Sequence, residues 1–139
     1  LAIDVGHSQI HPRLADDPRV TVMERTNARH LDPATLPMLD WVVSDVSFIS
    51  ATLALGPALN AARPGARLVT LIKPQFESDR SEIGKGGIVR DAAVRARAVT
   101  RVADFLAAQG WQVTGTCDSP ITGSDGNAEF LAAAVKPGA

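Results

Sequence analysis

The sequence predicts an α/β domain built on a mostly parallel sheet. Three observations predict it. Short apolar runs alternate with stretches of helical period, which is how strand–crossover–strand units read. Two of those runs, Trp41–Val46 and Ala66–Ile72, are almost continuously apolar rather than alternating, as strands covered on both faces are. The last two runs have only a turn between them, so they should pair antiparallel. At 139 residues with 45% apolar content, one domain with a real core is expected, and 21% charge is too little for a disordered chain.

Leu1–Val5 reads as a short strand closed by Gly6. A chain that opens inside a strand, without a methionine, points to a segment upstream of it. Residues 8–15 can form a short helix that Pro12 interrupts. Val20–Glu24 is the next strand, and Asp32 with Pro33 begins a single helical turn. After the strand at Trp41–Val46, Ser50 caps a helix over 51–62 that Pro57 should kink. Pro64-Gly65 breaks it, and Ala66–Ile72 follows as a strand. Residues 75–90 are polar, glycine-containing and without period. A loop of this length is functional or mobile, and residues 77–90, glycine-containing and without apolar anchors, are expected to be the most mobile internal segment. Asp91 caps the longest helix, 92–109, with apolar residues at 94, 98, 99, 102, 105 and 106. Gly110 closes it. Trp111–Asp118 and Ala128–Val135 complete the sheet.

Composition excludes some functions. A net charge of −1 argues against a chain that holds nucleic acid mainly by its own electrostatics. The single cysteine, Cys117, excludes an internal disulfide and suits a reducing, cytoplasmic setting. No apolar run approaches the ~18 residues of a membrane span, and no long basic amphipathic stretch favours a membrane-active protein.

In an open α/β sheet the ligand lies beyond the carboxyl ends of the strands. The polar residues there are Asp4, Asn27, Asp45 and Lys73. Glu129 starts the final strand, and because that strand runs the opposite way its start lies at the same rim. Topology thus gathers Asp45, Lys73 and Glu129. Asp4 before Gly6 is either a turn residue or a carboxylate for ribose hydroxyls. Asp45 is either a helix cap or a site residue, and Ser50 is better placed for the cap. Lys73 is held extended by Pro74, and is either a solvated strand-end lysine or part of the same site. Ile83-Gly84-Lys85-Gly86-Gly87 offers backbone N–H groups but lacks the Walker A spacing, and a hinge is an equal reading. His7 and His11 have the spacing of helical metal ligands, but Pro12 disrupts that helix and no third ligand is near, so no metal is expected. Cys117 reads as a small core residue.

Several stretches together resemble the TlyA-type (hemolysin A) members of the FtsJ-like RNA methyltransferases. They are Ile3-Asp4-Val5-Gly6, Glu24-Arg25-Thr26-Asn27-Ala28-Arg29, Ser44-Asp45-Val46-Ser47-Phe48-Ile49-Ser50, Lys73-Pro74-Gln75-Phe76-Glu77, Gly84-Lys85-Gly86-Gly87-Ile88-Val89-Arg90-Asp91, and Ser119-Pro120-Ile121-Thr122-Gly123 with Gly126-Asn127-Ala128-Glu129-Phe130. They occur in the family's order and span nearly the whole chain.

The resemblance implies a Rossmann-like class I methyltransferase with S-adenosylmethionine as cofactor and ribose 2′-hydroxyls of ribosomal RNA as substrate. It implies that Asp45, Lys73 and Glu129 are three of the family's four catalytic residues, that Asp4 contacts the cofactor ribose, that Asn27 lies near the adenine, that Asp45 also binds the cofactor, and that residues 77–90 order only with RNA. Residues 1–139 would then be one partial methyltransferase domain. The first strand and helix, the glycine-rich cofactor loop, the first catalytic lysine and a small RNA-binding domain would all lie upstream. The partner would be ribosomal RNA or a ribosomal subunit. In the family's sheet the first strand lies between the strands at Leu1–Val5 and Trp41–Val46. Without it the two halves should pair directly, or a strand of a second copy should fill the place, giving self-association. Two other readings are a binding protein that keeps the fold without catalysis, told apart by cofactor binding, and a membrane-active hemolysin, told apart by vesicle leakage.

Overall fold

The computed structural model describes residues 1–138. Strand β1 (Ala2–Ile3) leads through a short helix α1 (Pro12–Ala15) to β2 (Val22–Met23), and these two strands pair in parallel. Two 3-10 turns at Ala28–His30 and Pro33–Thr35 precede β3 (Leu39–Ser44). Helices α2 (Ala51–Ala54) and α3 (Gly56–Ala61) follow, then β4 (Ala62–Ile72), the single turn α4 (Pro74–Glu77), the long helix α5 (Ala92–Ala108), and strands β5 (Gln112–Asp118) and β6 (Phe130–Val135). The larger sheet has the order β3-β4-β6-β5. Strands β3 and β4 are parallel, and β6 is antiparallel to both its neighbours. The predicted α/β class and the antiparallel last strand are both present.

Local sequence explains most boundaries. The side chains of Asn27, Asp32, Ser50 and Asp91 each accept a hydrogen bond from a backbone N–H two residues on, opening a helical turn. Helix α5 buries Val94, Ala98, Val102 and Leu106, one face at four-residue spacing. Ala98, Val102 and Leu106 pack with Leu59, Leu68, Ile72 and Trp111 in one cluster. Val102 and Leu106 are wholly buried, and burying one such side chain contributes about 1.5–3 kcal/mol.

Five local expectations need correction. Cys117, read as a core residue, is exposed on β5. The helix over 51–62 is two helices, parted where Gly56-Pro57 interrupts the backbone bonding. Pro64-Gly65 does not separate elements. It lies inside β4 at an irregularity in the pairing with β3, with Gly65 at φ +85° donating its N–H to the Lys136 carbonyl at 2.7 Å. Segment 75–90 contains α4 and two 3-10 turns, and Val89 within it is fully buried, so it does not lack an apolar anchor. Strand β3 is not covered on both faces: Trp41 is 55% and Val43 76% exposed. The helices packed against the larger sheet cover one of its faces, and the Arg67 guanidinium lies over the Trp41 ring, 5.6 Å from its centroid.

The two halves do not close up. Among the described residues β1 and β3 make no pairing, and a cleft of about 230 Å³ lies between them, with Leu1, Ile3, Leu31, Leu39 and Trp41 in its walls.

Candidate active site

Register builds the rim. Ser44 pairs with Thr70, and Ile72 with Phe130. Asp45, Lys73 and Glu129 are each the next residue beyond those pairs, so the ends of β3 and β4 and the start of β6 deliver them to one edge. All three line a cleft of about 590 Å³ that also contains Ser47, Phe48, Gln75 and Asp125.

Lys73 Nζ stands 2.6 Å from Asp45 Oδ1 and donates to Ser47 Oγ at 3.0 Å. Its side chain is 14% exposed while that of Asp45 is 65% exposed, so the pair straddles the cleft mouth. Glu129 is buried and does not touch Lys73 within ion-pair distance. It accepts a hydrogen bond from Gln75 Nε2 at 3.3 Å. The carboxylate packs against the turn before β6: a Cβ built on Gly123 would lie 2.8 Å from Glu129 Oε2, so any larger residue there would displace it.

The sequence-predicted residues divide into two groups. Asp45, Lys73 and Glu129 share the cleft. Asp4 and Asn27 do not line it. Asp4 accepts the Gly6 N–H at 2.8 Å, which is the turn role. Asn27 accepts the Arg29 N–H at 3.0 Å and lines a second depression of about 600 Å³ with Val5, Ser47, Phe48 and Phe76. The two depressions meet at Ser47, Phe48 and Phe76.

Three residues that sequence reasoning missed belong to this region. Phe48 is 91% exposed, sits at φ +64°, and holds its ring 5.0 Å from that of Phe76, tilted by 53°. A bulky residue in left-handed backbone is uncommon and costs about 1–3 kcal/mol. An aromatic three residues past the polar pair Ser44-Asp45 at a strand end was the available signal. Gln75 holds Glu129, and nothing but proximity to Lys73 announced it. Asp125 faces the cleft with its carboxyl held below the usual range, first by the Asn127 backbone N–H and side chain, with Lys73 adding a smaller pull. His11 caps α1 through a bond from the Arg13 N–H at 3.2 Å, which accounts for it without a metal.

A mixed sheet with polar residues gathered at the carboxyl rim of its parallel strands, together with the family pattern across the chain, defines a Rossmann-type domain of the methyltransferase class. The chain belongs to the FtsJ-like methyltransferase family, whose pattern matches residues 1–136. It is 48% identical over 132 residues to the protein YqxC of Bacillus subtilis. It is 44% identical over 132 residues to TlyA of Mycobacterium tuberculosis, a 16S/23S rRNA (cytidine-2′-O)-methyltransferase. Those matches cover 94% of this chain and 47% and 49% of the relatives, so the chain spans about half their length. A hemolysin-named protein of known structure from Streptococcus thermophilus superposes with a TM-score of 0.90 at 39% identity, over 98% of this chain and 50% of that one.

Proposed function

We propose that this chain is the part of a ribosomal-RNA 2′-O-methyltransferase that holds three of its catalytic residues. The observation that carries the reading is the Asp45–Lys73 pair at the mouth of a cleft that also contains Glu129. The charge in that cleft suits the chemistry. Asp45, Asp125 and Glu129 face a single lysine, a balance unsuited to gripping a phosphate but favourable to a cationic methyl donor beside a neutral hydroxyl.

S-adenosylmethionine supplies a methyl group already activated on a sulfonium. The residues present fit part of it: an exposed aromatic and an amide for an adenosine, and carboxylates for the positive charge. Asn27 and Phe48 would flank the adenosine part, and Asp4 would reach its ribose if freed from the Gly6 turn. Within residues 1–139 no glycine-rich turn stands ahead of Asp4 to receive the methionine part.

The protein's work is alignment and proton removal. As the ammonium, Lys73 donates a hydrogen bond to the 2′-oxygen of the target ribose; as the free amine, it takes the hydroxyl proton and becomes the ammonium that pairs with Asp45. Asp45 holds the amine at the cleft mouth, Ser47 fixes it from the other side, and Glu129 with Gln75 stabilises charge on the inner wall. The ring of Phe48 offers a flat apolar surface on which a nucleobase can stack. Net charge of −1 leaves most of the RNA affinity to other parts of the full-length protein, which works in the cytoplasm on rRNA or a ribosomal subunit.

Lys73→Ala in the full-length protein tests this. Methyl transfer to rRNA should fall by about 10²–10⁴-fold, with cofactor affinity unchanged within a few-fold. Near-normal turnover would remove Lys73 from the chemistry.

A further inference from the structure

Glu77 is a buried carboxylate that the chemistry above does not use. Its side chain is 2% exposed. Buried carboxylates are rare unless held by charges or hydrogen bonds. Here Ser50 Oγ donates to one oxygen at 2.5 Å and the Ala51 N–H to the other at 2.7 Å. Arg101 stands at the edge, its Nε 3.8 Å from the carboxylate, while another of its nitrogens donates to the Glu77 carbonyl at 3.2 Å.

The partners matter because of where they sit. Two segments run side by side. One passes from Asp45 to Ala51, the other from Lys73 to Glu77. They are joined at every level: Asp45 to Lys73 at 2.6 Å, Ser47 to Lys73 at 3.0 Å, Phe48 to Phe76 ring to ring at 5.0 Å, and Ser50 with Ala51 to Glu77. The ladder is exposed at the Asp45 end and buried at the Glu77 end. An exposed ion pair is worth about 0–1 kcal/mol and cannot fix its own geometry. Buried charge-assisted hydrogen bonds are stronger and shorter, and hold both partners in register.

We propose that Glu77 is a positioning residue for methyl transfer: it fastens the Lys73 turn to the start of α2 from behind, and so fixes Lys73 against Asp45 and Ser47. The link to methyl transfer rests on the function proposed above, but the anchoring of Lys73 does not. Glutamine has the shape of the carboxylate, keeps an acceptor for the Ala51 N–H and a partner for Ser50 Oγ, and so preserves the fastening.

The test compares Glu77→Ala, Glu77→Gln and a control, Val102→Ala, which opens the core on α5 at a residue outside the cleft. Two quantities are read in the full-length protein. The first is acylation of the Lys73 amine, followed by peptide mass spectrometry against Lys85. It should rise about fivefold or more in Glu77→Ala, and stay within about twofold of the parent in Glu77→Gln and in Val102→Ala. The second is the split of kcat and KM. In Glu77→Ala kcat should fall about tenfold or more with KM for the cofactor within about twofold, because small misplacements of a reacting group cost rate rather than binding. Glutamine should restore it. Unchanged Lys73 labelling in Glu77→Ala, or an equal rise in Val102→Ala, would overturn the anchoring. If the labelling behaves as expected while the unsubstituted protein transfers no methyl group, the anchor stands and the assigned chemistry falls.

Discussion

At the scale of single residues, the decisive contrast is between carboxylates in different surroundings. Asp45 is mostly exposed, and its pairing with Lys73 is geometry delivered by neighbours. Glu77 is buried, and its proton equilibrium is linked to folding. Its carboxyl is raised first by burial, with Ser50, Ala51 and Arg101 pulling the other way. A raised folded value means that the folded state holds the proton more tightly than the unfolded chain. The associated stability is fully present below the unfolded carboxylate range and is lost as pH rises through the folded value. Glu82 and Asp125 are lowered, Glu82 mainly by Arg97, so theirs is lost as pH falls. Comparing variants cancels those contributions. The Tm of Glu77→Gln minus that of the parent should be more positive at about pH 7 than at about pH 4. A pH-independent difference would show that Glu77 titrates alike in both states.

At the scale of elements, the instructive segment is 77–90. Its glycines and polar residues carry no period, so sequence reasoning made it an unanchored loop. The anchors come from far along the chain. Asn127 is wholly buried: its Oδ1 accepts the Val89 N–H at 2.9 Å, and its Nδ2 donates to the Gly87 carbonyl at 2.9 Å and to Asp125. One amide thus ties the loop to the turn that precedes Glu129. Asn127→Ala would leave the Val89 N–H and the Gly87 carbonyl without these partners, and a buried unsatisfied group costs about 1–3 kcal/mol. Denaturant unfolding should show a loss of that size, and the Val89 amide should exchange faster in native-state hydrogen exchange. Unaltered exchange at Val89 would mean that another contact holds the loop. The helices, by contrast, were legible because their signals are local. Asp91 and Ser50 lie where a cap must, and the apolar residues of α5 recur at the spacing of one helical face.

For the whole molecule, the notable feature is a sheet in two parts. The pair β1–β2 and the sheet β3-β4-β6-β5 stand apart, with apolar walls between them. The superposition at a TM-score of 0.90 spans both parts, so they are arranged much as in a relative about twice as long. Residues at the carboxyl rim of both parts are therefore arranged as in that relative, and no glycine-rich turn precedes Asp4 within residues 1–139. We expect no useful S-adenosylmethionine binding to residues 1–139 alone. A calorimetric titration giving micromolar affinity would overturn this and would mean that the cofactor sits differently.

What the sequence determined by itself was whatever depends on near neighbours or on strand direction. The α/β class followed from the alternation of apolar runs and helical periods. The gathering of Asp45, Lys73 and Glu129 followed because two parallel strands end, and one antiparallel strand begins, at the same edge. Tertiary structure alone decided the rest. Burial of Glu77 and Asn127 depends on packing between segments dozens of residues apart, which no local pattern encodes. The same holds for the exposed face of β3: Trp41 and Val43 have strand propensity whether or not anything covers them, and only the packed molecule determines which face of a strand meets a helix.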